Sequence, residues 1–144
     1  MIEPSTVQNL NRLLAIMDRS FPQYLQYSRP YVPPGRDELV ETLESIVSDQ
    51  NAICERISQI LLDAHAPLRT GEFPMDYTDK HDLDIDYLVR VAADYQEQDI
   101  ASIAQLVEQL QTAPAAKALA EEALGMAKGH LDSLRELVSD GLKK

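Results

Sequence analysis

Proline lacks a backbone N–H and its ring clashes with the preceding turn, so the eight prolines of this 144-residue chain mark where a long helix can run. They stand at positions 4, 22, 30, 33, 34, 67, 74 and 114. Three long proline-free windows remain, Gly35 to Ala66, Met75 to Ala113 and Ala115 to Lys144, and a fourth, Ser5 to Arg29, is interrupted by Pro22. Every window carries apolar residues three or four apart, the spacing that lines one face of a helix. Strand-like alternation is found nowhere, so the chain is expected to be all-α.

The first helix is expected near 5–29, with Val7, Leu10, Leu14, Met17, Phe21, Tyr24 and Leu25 on one face, a capping box from Ser5 and Gln8, and a kink at Pro22. The second is expected near 36–66, through Leu39, Leu43, Ile46, Ile53, Ile57, Ile60, Leu61 and Ala64. The third, near 84–112, runs through Ile85, Leu88, Ala92, Tyr95, Ile103, Leu106 and Leu110, with Asp82 or Asp84 as N-cap and a polar middle. The fourth, near 115–140, follows Pro114 with Leu119, Ala123, Ala127, Leu131, Leu134 and Val138.

Connection lengths suggest how these helices are joined. The turns near Pro30 to Gly35 and near Thr112 to Pro114 are short, which makes helices one and two, and helices three and four, antiparallel neighbours. The link from Pro67 to Leu83 is different. A second helix of about 30 residues is roughly 45 Å long, and a link of about 16 residues reaches roughly 50 Å when extended. It can traverse the whole length, with Phe73, Met75 and Tyr77 expected to pin it to the surface. Residues 1–144 therefore read as one domain, a four-helix bundle of two antiparallel hairpins joined by a long crossover, which is the ferritin-like arrangement.

Charge and composition exclude several classes. Thirteen Lys and Arg against 24 Asp and Glu give a net charge of −11, which repels phosphate backbones and anionic membrane surfaces, so neither nucleic acid nor membrane is an expected partner. No apolar run approaches the roughly 18 residues of a spanning helix, and the opening MIEPSTVQNL has an acid and no basic stretch, so neither a spanning helix nor a signal peptide is read. A cytoplasmic location is the expectation. The single cysteine, Cys54, has neither a second thiol nor a basic neighbour other than Arg56, which fits a packed thiol better than a nucleophile. His65 and His81 fall at loop edges and read as exposed histidines.

Three short stretches carry a resemblance. Leu10 to Tyr31, LNRLLAIMDRSFPQYLQYSRPY, resembles the first helix of bacterioferritins in its Leu-Asn-x-Leu-Leu opening, its later Gln-Tyr and its Arg-x-Tyr. Glu55-Arg56-Ile57 is similar to part of their second helix, and Gly129-His130-Leu131-Asp132 with Leu134 to their fourth. The resemblance implies a ferritin-like bundle and, in principle, a di-iron centre built from carboxylates and Glu-x-x-His pairs. This chain contains no Glu-x-x-His. The expected ligands fall on Met17, Ile46, Asp49, Ala127 and His130, and in the third helix somewhere between Asp94 and Asp99. The family's axial haem methionine falls on Val47, and Tyr24 matches a tyrosine that lies near the metals there.

What survives is a polar set. Asp49 and Gln50, Gln96 and Asp99, and His130 lie on or beside the inward stripes of helices two, three and four. Such a set is expected either as a hydrogen-bonded layer fixing helix register, with His130 paired to Asp49 or Asp99, or as a reduced metal site of Asp49, Asp99 and His130 taking iron, manganese or zinc. The expectation is a non-catalytic ferritin-like protein with no resident cofactor, acting as a homodimer or through a protein partner. The alternative is a metal-binding, iron-storage or oxidoreductase protein using that reduced centre.

Overall fold

The structure, a computed structural model, describes residues 2–80 and 84–142, with side chains described through Ser139. It is all-helical, and no strand occurs among the described residues. The helices are α1 (Pro4–Asp18), α2 (Phe21–Ser28), α3 (Asp37–Asp63), α4 (Met75–Thr78), α5 (Ile85–Gln109) and α6 (Pro114–Leu142). His81 and Asp82 lie outside the described residues.

The expected single first helix is two helices, and the break falls upstream of the proline. α1 closes with the Arg19 N–H on the Ala15 carbonyl, and Ser20 turns extended (φ −69°, ψ 164°). Its hydroxyl then accepts from the Gln23 N–H, capping α2. Pro22 consequently sits in the first turn of α2, where a missing N–H leaves no bond unmade. At the other end α1 begins at Pro4 with Glu3 as N-cap and no side-chain cap, so Ser5 lies inside the helix and the expected Ser5–Gln8 box does not form. Asp84 does precede α5, again without a side-chain cap bond.

Two apolar clusters fix the helix directions. One joins Leu10 to Met17 of α1, Ile53 to Leu61 of α3, Ile103 to Val107 of α5 and Ala116 to Ala127 of α6. The other joins Phe21 to Leu25 of α2, Leu39 to Ile46 of α3, Ile85 to Ala93 of α5 and Leu131 to Leu137 of α6. The first cluster takes the C-terminal halves of α3 and α5 but the N-terminal half of α6. So α1, α2 and α6 run one way, and α3 and α5 run the other. α1 and α2 pack on α3, α5 on α6, α3 also on α6, and α1 on α5. Leu10, Leu13, Ile57, Leu61, Leu88, Ile103 and Leu134 are fully buried, and each such side chain stabilises the fold by roughly 1.5–3 kcal/mol relative to leaving it exposed.

The link from α3 to α5 runs lengthwise beside α1 and then α2. Asn11, almost fully buried, donates its Nδ2 to the Pro67 carbonyl at 3.0 Å and accepts from the Arg69 N–H at 2.7 Å. Arg19 donates to the Gly71 carbonyl at 3.0 Å and lies over the Phe73 ring at 5.0 Å. Phe73 packs edge-on against Tyr24, and Tyr77 is buried against Phe21 and Tyr95, with ring centroids 4.9 Å apart in both pairs. Phe73 and Tyr77 thus pin the link as expected. Met75 does not: it is 84% exposed, because it opens the one-turn helix α4 on the side opposite the Tyr77 ring.

Asn11→Ala removes both backbone bonds to the link at once, and is expected to cost about 2 kcal/mol of unfolding free energy. Asn11→Asp, which keeps the acceptor but not the donor, should fall between the two. Urea denaturation of the three proteins checks the order.

Candidate functional site

Between the two apolar clusters lies a level of polar contacts. On the first hairpin the buried Ser20 hydroxyl donates to Gln50 Oε1 at 2.8 Å while its oxygen also caps α2. On the second, the Gln96 amide donates to the Ala127 carbonyl of α6 at 3.1 Å, with Gln96 equally buried. Across the hairpins His130 Nε2 stands 2.8 Å from Asp49 Oδ2, joining α6 to α3. The carboxylate can only accept, so Nε2 carries the hydrogen, and Nδ1 is buried with no hydrogen-bond partner among the described residues.

The three residues expected to form a reduced metal site do not gather. Asp49 and His130 meet, with Asp49 half-exposed at the rim of the contact and His130 buried. Asp99 looks elsewhere. It lies one turn after Tyr95 on α5, and Tyr95 packs on Phe21 and Tyr77, so this face of α5 is turned to α2 and the link. Asp99 accordingly helps to raise the hydroxyl pKa of Tyr77, whose own burial is the larger cause. His130 faces α3 instead. Among the described residues no three of the His, Cys, Asp and Glu side chains come together as a metal-holding group.

Nor does the donor set fit a di-iron centre or a haem. Of the positions where the resemblance implies iron ligands, Met17 is 2% exposed, Ile46 1% and Ala127 fully buried, each embedded in an apolar cluster. A hard cation finds no oxygen there. Val47, where the resemblance implies a haem ligand, has no donor atom, and Tyr24 is buried among Phe21, Phe73 and Tyr77.

Two ionisable groups are shifted by burial in ways that bear on chemistry. Burial pushes the Cys54 thiol up to about 12, with the nearby Asp18 charge adding to it, so at neutral pH the group is a protonated, packed thiol and no nucleophile. Burial likewise pushes the Asp99 carboxyl up to about 7. Several residues that shape this region carry little sequence signal. Ser20 and Asn11 look like ordinary surface polar residues in a helical pattern, and only Ser20's position two residues before a proline hints at its capping role.

Asp49→Ala strands the buried His130 ring, and is expected to cost about 1 kcal/mol in a denaturant titration. Asp99→Asn tests the half-buried carboxyl. The folded chain holds its proton up to about pH 7, whereas an unfolded aspartate loses it near pH 3.9. Wild-type stability from this group is therefore full below about pH 3.9, falls as pH rises from there toward 7, and stays low above that. The variant should be more stable than wild type by roughly 1–2 kcal/mol at pH 8 and about equal at pH 4. A difference that does not change with pH, measured by thermal melts at both values, would contradict the burial argument.

Compared with known proteins, the chain matches no family model, no curated protein and no solved structure.

Proposed function

We propose that this chain is a ferritin-like four-helix bundle that has given up its metal centre and acts by association, with a second copy of itself or with a protein partner, not by catalysis. The observation that carries the reading is the burial of Met17, Ile46 and Ala127 where iron ligands would stand. Filling a cavity with apolar side chains favours stability and removes the oxygens that iron requires. The order of neighbouring helices and the lengthwise link support the bundle half of the proposal.

Association has a candidate face. Tyr27, Tyr31 and Met75 are exposed by 78%, 77% and 84%, and the Tyr27 ring rests on Phe73, which joins α2 to the link segment that carries Met75. Exposed aromatic and methionine side chains of this kind are enriched at interfaces. A homodimer through α2 and the link is the form proposed, in a cytoplasmic setting consistent with a chain in which no described helix is long and apolar enough to cross a membrane.

The second reading, a metal-storage or oxidoreductase protein, would draw on the Asp49–His130 pair and its free Nδ1 with iron, manganese or zinc. Two experiments separate the readings. Elemental analysis of freshly purified protein, before and after anaerobic ferrous loading, should give well under one equivalent of metal per chain. Light scattering should give a dimer that Tyr27→Glu together with Met75→Glu converts to monomer. Stoichiometric metal that disappears in Asp49→Ala would move the protein to the second reading, and a wild-type monomer would remove the dimer.

A further inference from the structure

α1 and the link enclose an open groove of about 900 Å³ that the contacts above leave unused. We propose that this groove binds a small oxyanion, a molecule carrying phosphate or carboxylate, between Arg12 of α1 and Arg69 of the link.

The charge distribution singles the groove out. Acidic residues outnumber basic ones by 24 to 13 in the chain, yet no Asp or Glu lines this groove. Nor does one line the neighbouring groove between α1 and α5, which shares Arg12 and is otherwise polar through Ser102, Gln105 and Gln109. Arg12 and Arg69 are both exposed, and neither side chain makes an ion pair or hydrogen bond with a described residue. Arg36, Arg56 and Arg135, by contrast, are each spent on a carboxylate, of Asp86, Glu122 and Glu97. Two uncommitted guanidinium forks facing one acid-free groove are the side chains best suited to hold an oxyanion by paired N–H bonds.

The groove is also held in shape before any ligand arrives. Asn11, next to Arg12, binds the backbone N–H of Arg69 itself and the carbonyl of Pro67. Arg19 donates to the Gly71 carbonyl and, at 3.4 Å, to the Thr70 hydroxyl. The backbone that carries Arg69 is thereby fixed against the helix that carries Arg12, so binding need not order the loop. Ser5 and Gln8 add further donors along the helix, and Val7 offers an apolar wall for the ligand's body. The ligand must be compact. At physiological salt the Debye length is about 8 Å, so a small anion meets mainly the two arginines, whereas a long polyanion would also meet the surrounding carboxylates. This inference does not rest on the ferritin-like reading.

The test is a titration of the full chain with inorganic phosphate and, separately, with citrate at about 0.15 M salt, followed by the NMR resonances of the arginine side chains. Saturable shifts at Arg12 and Arg69 are expected, and the tighter of the two probes assigns the ligand to the phosphate or the carboxylate class. Arg12→Gln and Arg69→Gln should each weaken binding about tenfold, and Arg69→Lys less, since it keeps the charge but loses the fork. Neither guanidinium has a partner among the described residues, so the thermal midpoints of these variants should match wild type. Arg90→Gln, an exposed arginine outside both grooves, should bind as wild type does. No saturable binding of either probe, or an equal loss in Arg90→Gln, would overturn the proposal.

Discussion

The structure depends first on how the link between α3 and α5 is held. A chain segment with little helix of its own carries backbone donors and acceptors that must be satisfied if it is to lie against other elements. Asn11 meets that need at the first bend, bonding one carbonyl and one N–H with a single buried side chain, and Arg19 meets it at the second. Farther along, aromatic packing takes over at Phe73 and Tyr77. Because the link returns along the length of α1 and α2, α5 starts at the end where α3 started. The two helices therefore run the same way, and the packed pairs α1 with α3, α3 with α6, α5 with α6 and α1 with α5 are all antiparallel.

The polar level between the two apolar clusters follows from that order. Each of its contacts joins a different pair of helices: Ser20 with Gln50, Gln96 with the Ala127 carbonyl, and His130 with Asp49. A slip of one helix past its neighbour would bury these groups without partners, at a cost of about 1–3 kcal/mol for each. They act as register pins. Among its polar groups this level has one carboxylate and one imidazole, Asp49 and His130, and these are engaged with each other.

Away from that level the molecule keeps two surfaces with different chemistry. One is the aromatic and methionine face of α2 and the link, where Tyr27, Tyr31 and Met75 stand in solvent. The other is the acid-free groove with Arg12 and Arg69. The link helps to form both, and the residues that fasten it to α1 and α2 fasten the surfaces too.

Much of the fold is legible in the sequence. Proline spacing and apolar periodicity mark three long helices and a first helical segment that divides into α1 and α2, with their inward faces, and the loop lengths require two short turns and one long return. The periodicity also marks Gln50, Gln96 and His130 as inward polar residues. What it leaves open is direction around the helix axis. Asp99 and His130 both sit beside inward stripes, but one side chain turns to α2 and the link and the other to α3, so the expected trio of Asp49, Asp99 and His130 becomes a pair and a separate half-buried carboxyl. Asn11 and Ser20 were equally beyond reach, since the groups they bind across the fold lie 30 to 58 residues away. The sequence alone determined which faces would be buried, because burial follows from helical period. Only the tertiary structure decided which polar groups would meet, because that depends on how helices are rotated against one another and on the path of the link.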